Sequence, residues 1–547
     1  MEKPHKNILL IYPYFIEDRV HEDEIAAVPI GLYSVGTVLR DNACVVEILN
    51  WHNMREKSVE IENILKAKQA DWIGFSIMHA NRWGGIEIAR TAKRLNPDVR
   101  IVFGGPGATF LWEHILKNFP EVDYVVLGEG EYVLLNLIRA VDEDEDPESV
   151  KGIAFRKNGQ RIKTEDAEPA LDLDKLPVPA KYFDYQHVSS ARGCAWQCAF
   201  CGSPKFWKNK VRLRSPEHFV QELALLYKKG IDFFYFSDDT FTIKRDRVIE
   251  ICKRIMKKGL NISWYAISRV DCIDEEILYW MRKAGCIQIS FGIESGSEII
   301  RERLGKKFTT DQVMRAFKIT KKYGILSRAY FIYGCPGESW ETIQETINLM
   351  MAIRPLGVIF YILDLFPGTA LYESFKKQTN ITDDMWLNRI EGVMYFETDR
   401  TMTDDLILRF GKKLRTAFYE NVHRFAEEIE LVEKEDLHEK HADFLSRLGM
   451  TFSHGDYSNI PEIREKDETA KKLFERSLEY APNHRAYLGL GILDQKQGDY
   501  EASISILSEG LKNYPESEHL KQCLGISYMN TGGREKADNI ISKLPHV

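Results

Sequence analysis

The sequence predicts an α/β protein in three parts: a doubly wound N-terminal domain, a partial barrel of six βα units and an all-α C-terminal domain. Two series of short apolar strands alternate with amphipathic helical segments up to about residue 375, and only helical patterns continue beyond it. The chain has 547 residues, whereas one hydrophobic core usually serves about 100–200 residues. We therefore expect several domains.

The first series predicts a doubly wound sheet over residues 1–150. Its strand runs are NILLIYP, VVEILN, WIGFSIM, VRIVFGG and DYVVLGEG. Each run is continuously apolar, which is typical of a parallel strand buried on both faces. Five such strands with intervening helices indicate a flavodoxin-like or Rossmann-like sheet, which binds ligands at the carboxyl ends of its strands.

A hairpin and a linker are predicted over residues 151–186. The segment IAFRKNGQRIKT has two short strand runs around Asn158 and Gly159, a dipeptide that accepts the positive φ angles of a type I′ turn. The Pro-rich segment LDKLPVPAKYF comes next. We expect both segments to connect the first domain to the second.

The second series predicts a barrel over residues 187–375. Its strand runs are HVSSA, DFFYFSD, ISWYAIS, IQISFGI, SRAYFIYG and GVIFYILDLF. Six units are fewer than the eight of a closed TIM barrel. The sequence therefore predicts a partial, open barrel with its site at the carboxyl ends of the strands.

Helices dominate the rest of the chain, as a connector over residues 376–435 and as repeats over residues 436–547. The recurring dipeptide is Leu-Gly, at 448–449, 490–491 and 524–525. The last two copies are 34 residues apart, which is the period of tetratricopeptide (TPR) repeats. Stacked helix pairs present a concave surface that suits a peptide or protein partner, but they also serve dimerisation or cap a neighbouring domain.

Charge and hydropathy exclude several classes of partner. A net charge of −8 offers no bulk attraction for nucleic acid or for an anionic membrane surface. No stretch reaches the about 18 apolar residues of a membrane span, and the apolar run before Pro13 is too short for a signal peptide. We expect a cytoplasmic protein.

One cysteine cluster requires a chemical explanation. Cys194, Cys198 and Cys201 form a CxxxCxxC pattern on the loop after the first barrel strand. Three thiolates at this spacing suit three irons of a [4Fe–4S] cluster and leave the fourth iron open for a small molecule. A structural zinc site is the alternative, but zinc takes four ligands and no further cysteine or histidine follows at a suitable spacing.

Further motifs follow the cysteines in a fixed order. Phe200 precedes the third cysteine, and FSDDTF places Asp238 and Asp239 at the end of the second strand. WYAISRVD and SFGIESGS place Arg269 and Glu294 on the third and fourth strands, and IYGCPGES and LFPGTALY follow on the last two. A helix cap for one aspartate and salt bridges for the other two charges are the structural alternatives.

Together with the cysteines, these motifs resemble the radical S-adenosylmethionine (SAM) superfamily over about residues 187–375. The resemblance implies that the open iron binds SAM. It also implies that Phe200, Asp238, Asp239, Arg269 and Glu294 form the SAM site. An external electron donor such as ferredoxin or flavodoxin is expected to reduce the cluster.

The domain order resembles the cobalamin-binding class of this superfamily, and the first domain carries the segments AVPIGLYSVG, GFSIMHAN, FGGPGATF and VLGEGE. The resemblance implies that Ser76, Gly104 and Gly105 contact the corrin and that His79 or Arg82 faces the cobalt. The DxHxxG sequence, which supplies a histidine to cobalt in cobalamin mutases and methionine synthase, is missing. This departure leaves the lower cobalt ligand unassigned.

The resemblance implies a cobalamin-dependent radical SAM C-methyltransferase. In such an enzyme a 5′-deoxyadenosyl radical removes hydrogen from an unactivated sp3 carbon, and methylcobalamin methylates the carbon radical. The helical repeats favour a peptide or protein substrate, and the glutamine C-methylation of methyl-coenzyme M reductase is one candidate. The alternatives are a radical SAM cyclase, oxidase or coupling enzyme without methyl transfer, and a TPR scaffold with a structural iron–sulfur cluster.

Overall fold

The computed structural model describes residues 6–17 and 29–541, so Ala27 and Val28 at the start of AVPIGLYSVG lie outside the described residues. The described residues form two large sheets covered by helices and a small two-stranded sheet, followed by helices alone. The predicted α/β class with an all-α C-terminal part is confirmed.

The first domain is built on a seven-stranded sheet. Its strands are β1 (Asn7–Tyr12), β2 (Val45–Asn50), β3 (Trp72–Ser76), β4 (Arg100–Gly104), β5 (Tyr124–Val126), β6 (Ile153–Lys157) and β7 (Gln160–Lys163). The order is β2-β1-β3-β4-β5-β6-β7, and the first five strands are parallel. The order 2-1-3-4-5 is flavodoxin-like, and ligands of such sheets lie where the order reverses, between β1 and β3.

Side chains of β1 alternate between two hydrophobic cores. Ile8 and Leu10 pack into one core, and Leu9 and Ile11 pack into the other. This period of two buries both faces of the strand and explains its continuous apolar sequence. The helices of the domain span Ile30–Asp41, Ser58–Lys68, Arg82–Leu95, Pro106–Phe110, Trp112–Asn118 and Glu131–Asp142.

The predicted hairpin extends the first sheet and is not part of a linker. Strand β6 pairs antiparallel with β5, and β7 pairs with β6. Ile153, Ala154 and Phe155 are buried in the cores of the first domain. Their apolar side chains explain why the segment packs on the sheet.

The barrel contains all six predicted strands in one parallel sheet, together with a small separate hairpin. The strands are β8 (His187–Val188), β9 (Ala191–Arg192), β10 (Arg212–Leu213), β11 (Phe233–Phe236), β12 (Ser263–Ser268), β13 (Cys286–Glu294), β14 (Leu326–Tyr333) and β15 (Gly357–Ile362). The sheet order is β15-β14-β13-β12-β11-β8, and among the described strands β9 pairs with β10 alone. The helices span Ser203–Phe206, Pro216–Lys228, Arg245–Lys257, Glu275–Lys283, Glu298–Arg303, Thr310–Lys322, Trp340–Ile353 and Ala370–Thr379.

Several barrel helices begin at a residue whose side chain caps the first turn. The side chains of Ser215, Asp274, Thr309 and Thr369 each accept a hydrogen bond from a backbone N–H of the helix that follows. Such caps satisfy donors that have no partner inside the helix. They set the point where each strand-to-helix loop ends.

The C-terminal part is helical throughout, with helices at Asp404–Tyr419, Val422–Glu427, His438–Ser453, Lys466–Tyr480, His484–Gln497, Tyr500–Asn513, Glu518–Asn530 and Arg534–Ile541. The last six form three successive pairs, and each recurring Leu-Gly lies in the first helix of its pair. A Cβ on Gly491 would meet Leu507 Cδ2 at 2.5 Å, so glycine permits the close approach of the paired helix. The TPR assignment itself stays a prediction.

The first helix pair packs against the amino-terminal end of the barrel. Tyr457 Oη donates to the carbonyl of Leu356, just before β15, at 2.8 Å. Arg447 Nη2 donates to Ser263 Oγ, at the start of β12, at 3.4 Å. The repeats therefore lie at the end of the barrel opposite to the cysteine-bearing loop. None of the helices in the described ranges has the length and apolar character needed to cross a bilayer.

Candidate functional site

A cavity of about 770 Å³ lies between the first domain and the barrel. One wall consists of the carboxyl ends of β1, β3, β4 and β5, including Tyr12, Ser76, Gly104 and Val126. The other wall consists of β9, of Gly193 and Gly202 at the two ends of the loop over residues 193–202, which we call the cysteine loop, and of Phe366 and Pro367 after β15. The three cysteines lie beside this cavity and do not line it. The cavity therefore joins the predicted ligand edge of the first sheet to the predicted cluster site.

Glycines open the first-domain wall of this cavity. Gly105 has φ +89°, and a Cβ there would lie 2.8 Å from the carbonyl oxygen of Ile77, so glycine permits the tight turn after β4. A Cβ on Gly104 would have no neighbour nearer than 3.9 Å, and Gly128, with φ +74°, would have none within 4 Å. Backbone without side chains lets a large flat ligand approach closely. This wall fits a corrin ring.

Four of the five predicted cobalamin contacts line the cavity, namely Ser76, His79, Gly104 and Gly105. Arg82 does not line it. The Arg82 guanidinium donates to the carbonyls of His79 at 3.1 Å and Glu391 at 3.2 Å, and it lies 4.6 Å from the ring centre of Trp386. Arg82 therefore attaches the first domain to the segment after the barrel. The sequence did not predict that this segment folds back onto the first domain.

Backbone hydrogen bonds hold the cysteine loop on both sides. Ala199 N donates to the carbonyl of Leu304 at 2.9 Å, and its own carbonyl accepts from Leu371 N at 3.0 Å. Gly193 has φ +93°, and a Cβ there would lie 2.1 Å from the carbonyl oxygen of Lys210. The loop is thus fixed between the segment after β13 and the segment after β15.

The three thiols of the loop interact electrostatically with one another. Burial raises the pKa of Cys198, and it raises the pKa of Cys201 to about 11, with the charges of Asp239 and the other two cysteines adding to the shift. A bound cation compensates such a cost, since metal ligation stabilises thiolates. Each thiolate of a [4Fe–4S] cluster binds a different iron, so this donor set fits three corners of a cluster.

Two residues near the loop could not be identified from the sequence alone. Cys272 lies near enough to Cys194 for their charges to interact, although it follows β12 and is far away in sequence. The positive charge of Lys306 acts to lower the pKa of Cys198, and Lys306 belongs to no recognised motif. Only the packing of barrel strands side by side brings these residues to the loop.

The structure separates the two predicted aspartates. Asp238 Oδ1 accepts hydrogen bonds from Ser190 N at 2.7 Å, Ala191 N at 2.9 Å and Ser189 Oγ at 2.9 Å. Through these hydrogen bonds the Asp238 carboxylate holds the chain just before the cysteine loop in place. Asp238 does not line the cavity. Asp239 lines the cavity and accepts a hydrogen bond from Ser203 Oγ at 2.5 Å.

The remaining predicted SAM residues surround the cysteine loop on its barrel side. Arg269 donates two hydrogen bonds to Asp271, at 3.0 and 2.9 Å, and lies 4.1 Å from the ring centre of Trp196 in the loop. Glu294 forms a buried ion pair with Lys306 at 2.7 Å, and Lys306 Nζ lies 5.8 Å from the ring centre of Phe200. Both predicted charges therefore have protein partners at the head of the barrel.

A group of charged residues also connects the two domains beside the cavity. Arg192 of β9 donates to Glu129 at 2.8 Å and also pairs with Glu131. Arg212 of β10 pairs with Glu129 and donates to the carbonyl of Ala170 at 2.7 Å. The small β9–β10 hairpin thereby attaches the cysteine loop to the VLGEGE segment of the first domain.

Comparison with protein families matches two profiles. The profile of the Radical SAM superfamily matches residues 188–350. The profile of the B12 binding domain matches residues 22–138. These ranges correspond to the barrel and to the first sheet.

Two curated relatives share substantial parts of the chain. An uncharacterized methyltransferase of Pyrococcus horikoshii is 32% identical over 406 residues, which cover 72% of this chain and 87% of the relative. The anaerobic magnesium-protoporphyrin IX monomethyl ester cyclase of Rubrivivax gelatinosus is 32% identical over 322 residues, covering 55% of this chain and 58% of the cyclase. The chain thus spans less than two thirds of the cyclase.

Solved structures with the same fold include two cobalamin-bound proteins. The radical SAM methyltransferase TsrM from Kitasatospora setae, with cobalamin and a [4Fe–4S] cluster bound, has a TM-score of 0.64 at 18% identity, covering 87% of this chain and all of TsrM (100%). The radical enzyme OxsB, with aqua-cobalamin and SAM bound, has a TM-score of 0.60 at 16% identity, covering 96% and 84% of the two chains. These likenesses concern the fold.

Proposed function

The chain belongs to the radical SAM superfamily and carries a B12-binding domain, and from this membership we propose that it is a C-methyltransferase that acts on an unactivated sp3 carbon. It is a methyltransferase of the cobalamin-dependent radical SAM type, with a [4Fe–4S] cluster, SAM and cobalamin as cofactors. The observation that supports the finer proposal is that one cavity is lined both by the carboxyl edge of the first sheet and by Gly193 and Gly202, the two ends of the cysteine loop.

When bound, the cluster with SAM supplies hydrogen-atom removal and cobalamin supplies the methyl group. The residues of the chain hold these groups against one carbon. We propose that Asp239 binds the SAM amino group, because its carboxylate lines the cavity beside the cysteine loop. Arg269, Glu294 and Phe200 stay proposed SAM contacts on the barrel side of the loop, with Lys306 holding the Glu294 carboxylate in place.

Aromatic side chains form part of the cavity wall. Phe110, Phe206, Trp207 and Phe366 contribute aromatic surface around the cysteine loop. The cavity lining is more apolar than polar, and an apolar lining limits quenching of reactive species by solvent once ligands fill the space. We propose that the substrate carbon enters this cavity between the two domains.

The proposal is tested by anaerobic reconstitution of the full chain with iron, sulfide and hydroxocobalamin, followed by SAM and a reductant. The expected products are 5′-deoxyadenosine, S-adenosylhomocysteine and a substrate heavier by one CH₂ unit. Replacement of Cys198 by alanine is the matched control and removes 5′-deoxyadenosine and the methylated substrate. Failure of the wild-type chain to form 5′-deoxyadenosine contradicts the proposal.

A second candidate function is a cyclisation or oxidation without methyl transfer. The relatives named as magnesium-protoporphyrin IX monomethyl ester cyclases favour it, since two of them share 32% and 29% identity with the chain. Product mass separates the two candidates, because cyclisation removes hydrogen whereas methylation adds a CH₂ unit. We prefer methylation because the chain covers 87% of the methyltransferase relative and 58% of the first cyclase.

A peptide or protein substrate, such as a glutamine of methyl-coenzyme M reductase, stays a prediction from the helical repeats. The repeats pack at the amino-terminal end of the barrel, on the side away from the cysteine loop. This position favours the alternative that the repeats cap the barrel. We further propose that ferredoxin or flavodoxin supplies the electron and that the protein is cytoplasmic.

A further inference from the structure

A second cavity, of about 1220 Å³, lies within the barrel itself. Its walls are formed by inward-facing residues of β8, β11, β12, β13 and β14. It opens toward β2 of the first domain, where Glu47, Ile48 and Asn50 line it. The barrel lumen is thus open to a ligand from the side.

Tyrosine rings dominate the surface of this lumen. Tyr235 and Tyr265 have ring centres 5.5 Å apart, and the His187 ring stacks on Tyr235 at 4.4 Å. Tyr330 lies on the neighbouring wall, 6.0 Å from the ring of Tyr361. Such rings present flat, weakly polar faces, which suit a flat unsaturated molecule.

Among the described residues, one charged side chain of the lumen makes no hydrogen bond and no ion pair. Glu47 pairs with Lys68 at 2.7 Å, Asp184 pairs with Lys229 at 2.8 Å, and Arg40 donates to the carbonyl of Val46 at 3.2 Å. Within the described ranges, Arg328 makes no hydrogen bond or ion pair, and it is half-buried. A guanidinium in an aromatic cavity without a counter-ion attracts an anion, and its paired donors match a carboxylate.

The register of the strands gives the distance between this cation and the head of the barrel. Arg328 of β14 is level with Ser290 of β13, and Phe331, three residues after Arg328, is level with Glu294 at the head of the barrel. Three residues of strand span about 10 Å. A ligand held by Arg328 therefore needs about this length to reach the cysteine loop.

We propose that the lumen binds the substrate as an elongated, flat, unsaturated or aromatic carboxylate, with its carboxylate on Arg328 and its reacting carbon at the cysteine loop. The proposal rests on the proposed function for the chemistry at the loop, but the binding site does not depend on it. Arg40 also lines the lumen, but its guanidinium already donates to the carbonyl of Val46 and lies 4.5 Å from the ring centre of Phe183. Among the described residues of the lumen, Arg328 is therefore the arginine whose donors remain for the carboxylate.

The test is equilibrium binding of biphenyl-4-carboxylate and biphenyl-4-carboxamide to the reconstituted full chain, with cobalamin filling the first cavity. The wild-type chain is expected to bind the carboxylate at least about 10-fold more tightly, as a charge-assisted pair of hydrogen bonds provides. Arg328→Gln is expected to abolish this preference and to leave carboxamide binding unchanged. Arg400→Gln alters an exposed arginine outside the lumen. This variant is expected to keep the preference for the carboxylate.

Three results overturn the proposal: equal binding of the two probes by the wild-type chain, a preference that survives Arg328→Gln, and no binding of either probe at millimolar concentration. The comparison of two probes on the wild-type chain needs no variant, so it stands even if Arg328→Gln fails to fold. No turnover is required, so this result is independent of whether methyl transfer is observed.

Discussion

Arg192 of the barrel donates a hydrogen bond to Glu129 of the first domain, with 2.8 Å between Nη1 and Oε2. Arg192 lies two residues before Cys194, and Glu129 lines the cavity just after β5. Both side chains are largely buried, at 17% and 15% exposure. This contact fixes the distance between the cysteine loop and the ligand edge of the first sheet.

We predict that Glu129→Gln uncouples the formation of 5′-deoxyadenosine from the methylation of the substrate. The change removes the anion shared by Arg192 and Arg212 and leaves two buried cations less well paired, at a cost of about 1–3 kcal/mol in stability. Small displacements of reacting groups are costly, so the ratio of methylated product to 5′-deoxyadenosine should fall about 10-fold. Both products are quantified by mass spectrometry.

Glu165→Gln is the matched control for this variant. Glu165 pairs with Lys151 at 2.7 Å, but both side chains are exposed, and such pairs contribute about 0–1 kcal/mol. The control should keep the wild-type product ratio and melting temperature. If Glu129→Gln behaves like the control, the contact with Arg192 has no positioning role.

Asp238 and Asp239 should give different defects when each is changed to asparagine. Asp238→Asn weakens the contacts that brace residues 189–191, so we expect reduced iron and sulfide content after reconstitution. Asp239→Asn keeps those contacts and removes a carboxylate from the cavity, so KM for SAM should rise at least about 10-fold with normal iron content. Iron analysis and SAM-dependence of 5′-deoxyadenosine formation measure the two effects. Equal iron loss in both variants would contradict the division of roles.

The elements and local motifs of this chain could be predicted from sequence because they depend on periodicity and spacing. The continuous apolar run of β1 fills two cores, and the cysteine spacing lies on one loop. The hairpin at Asn158 and Gly159 was also predicted, but not its pairing with β5. That pairing depends on burial of Ile153 and Phe155 against helices distant in sequence.

Contacts between distant segments could not be predicted in the same way. Lys306 reaches Glu294 and Cys198 only because the loop after β13 folds over the barrel, and no motif marks it. Arg82 is diverted from the cavity by the carbonyl of Glu391, which is 309 residues away in sequence. Local patterns carry no information about such partners.

Gly104→Leu should block cobalamin binding without unfolding the chain. A Cβ at Gly104 meets nothing nearer than 3.9 Å, so the backbone accepts it, but a larger side chain projects into the cavity. We expect at least about 10-fold weaker binding of hydroxocobalamin, since lost burial of a bulky ligand is costly. Gly104→Ala is the conservative control and should bind nearly as the wild type. Absorbance titration measures both, and normal binding by Gly104→Leu would place the corrin elsewhere.

Glu338 should make stability depend on pH near neutrality. It lies after β14, and burial raises its pKa from the usual 4.5 to about 7, although the carboxylate accepts hydrogen bonds from Gly334 N and Cys335 N. The folded chain therefore holds this proton more tightly than the unfolded chain does. The resulting stability is fully present below about pH 4.5 and is lost as the pH rises to about 7.

Glu338→Gln removes this titration because an amide does not ionise. We expect the variant to gain stability relative to the wild type as the pH rises from about 5 to 8, by up to about 3 kcal/mol for a shift from 4.5 to about 7. Glu345→Gln, an exposed change on the next helix, should follow the wild-type profile. Denaturant unfolding at several pH values measures the difference. Parallel profiles for Glu338→Gln and the wild type would mean that the buried carboxyl keeps an ordinary pKa, with its two backbone donors offsetting the cost of burial.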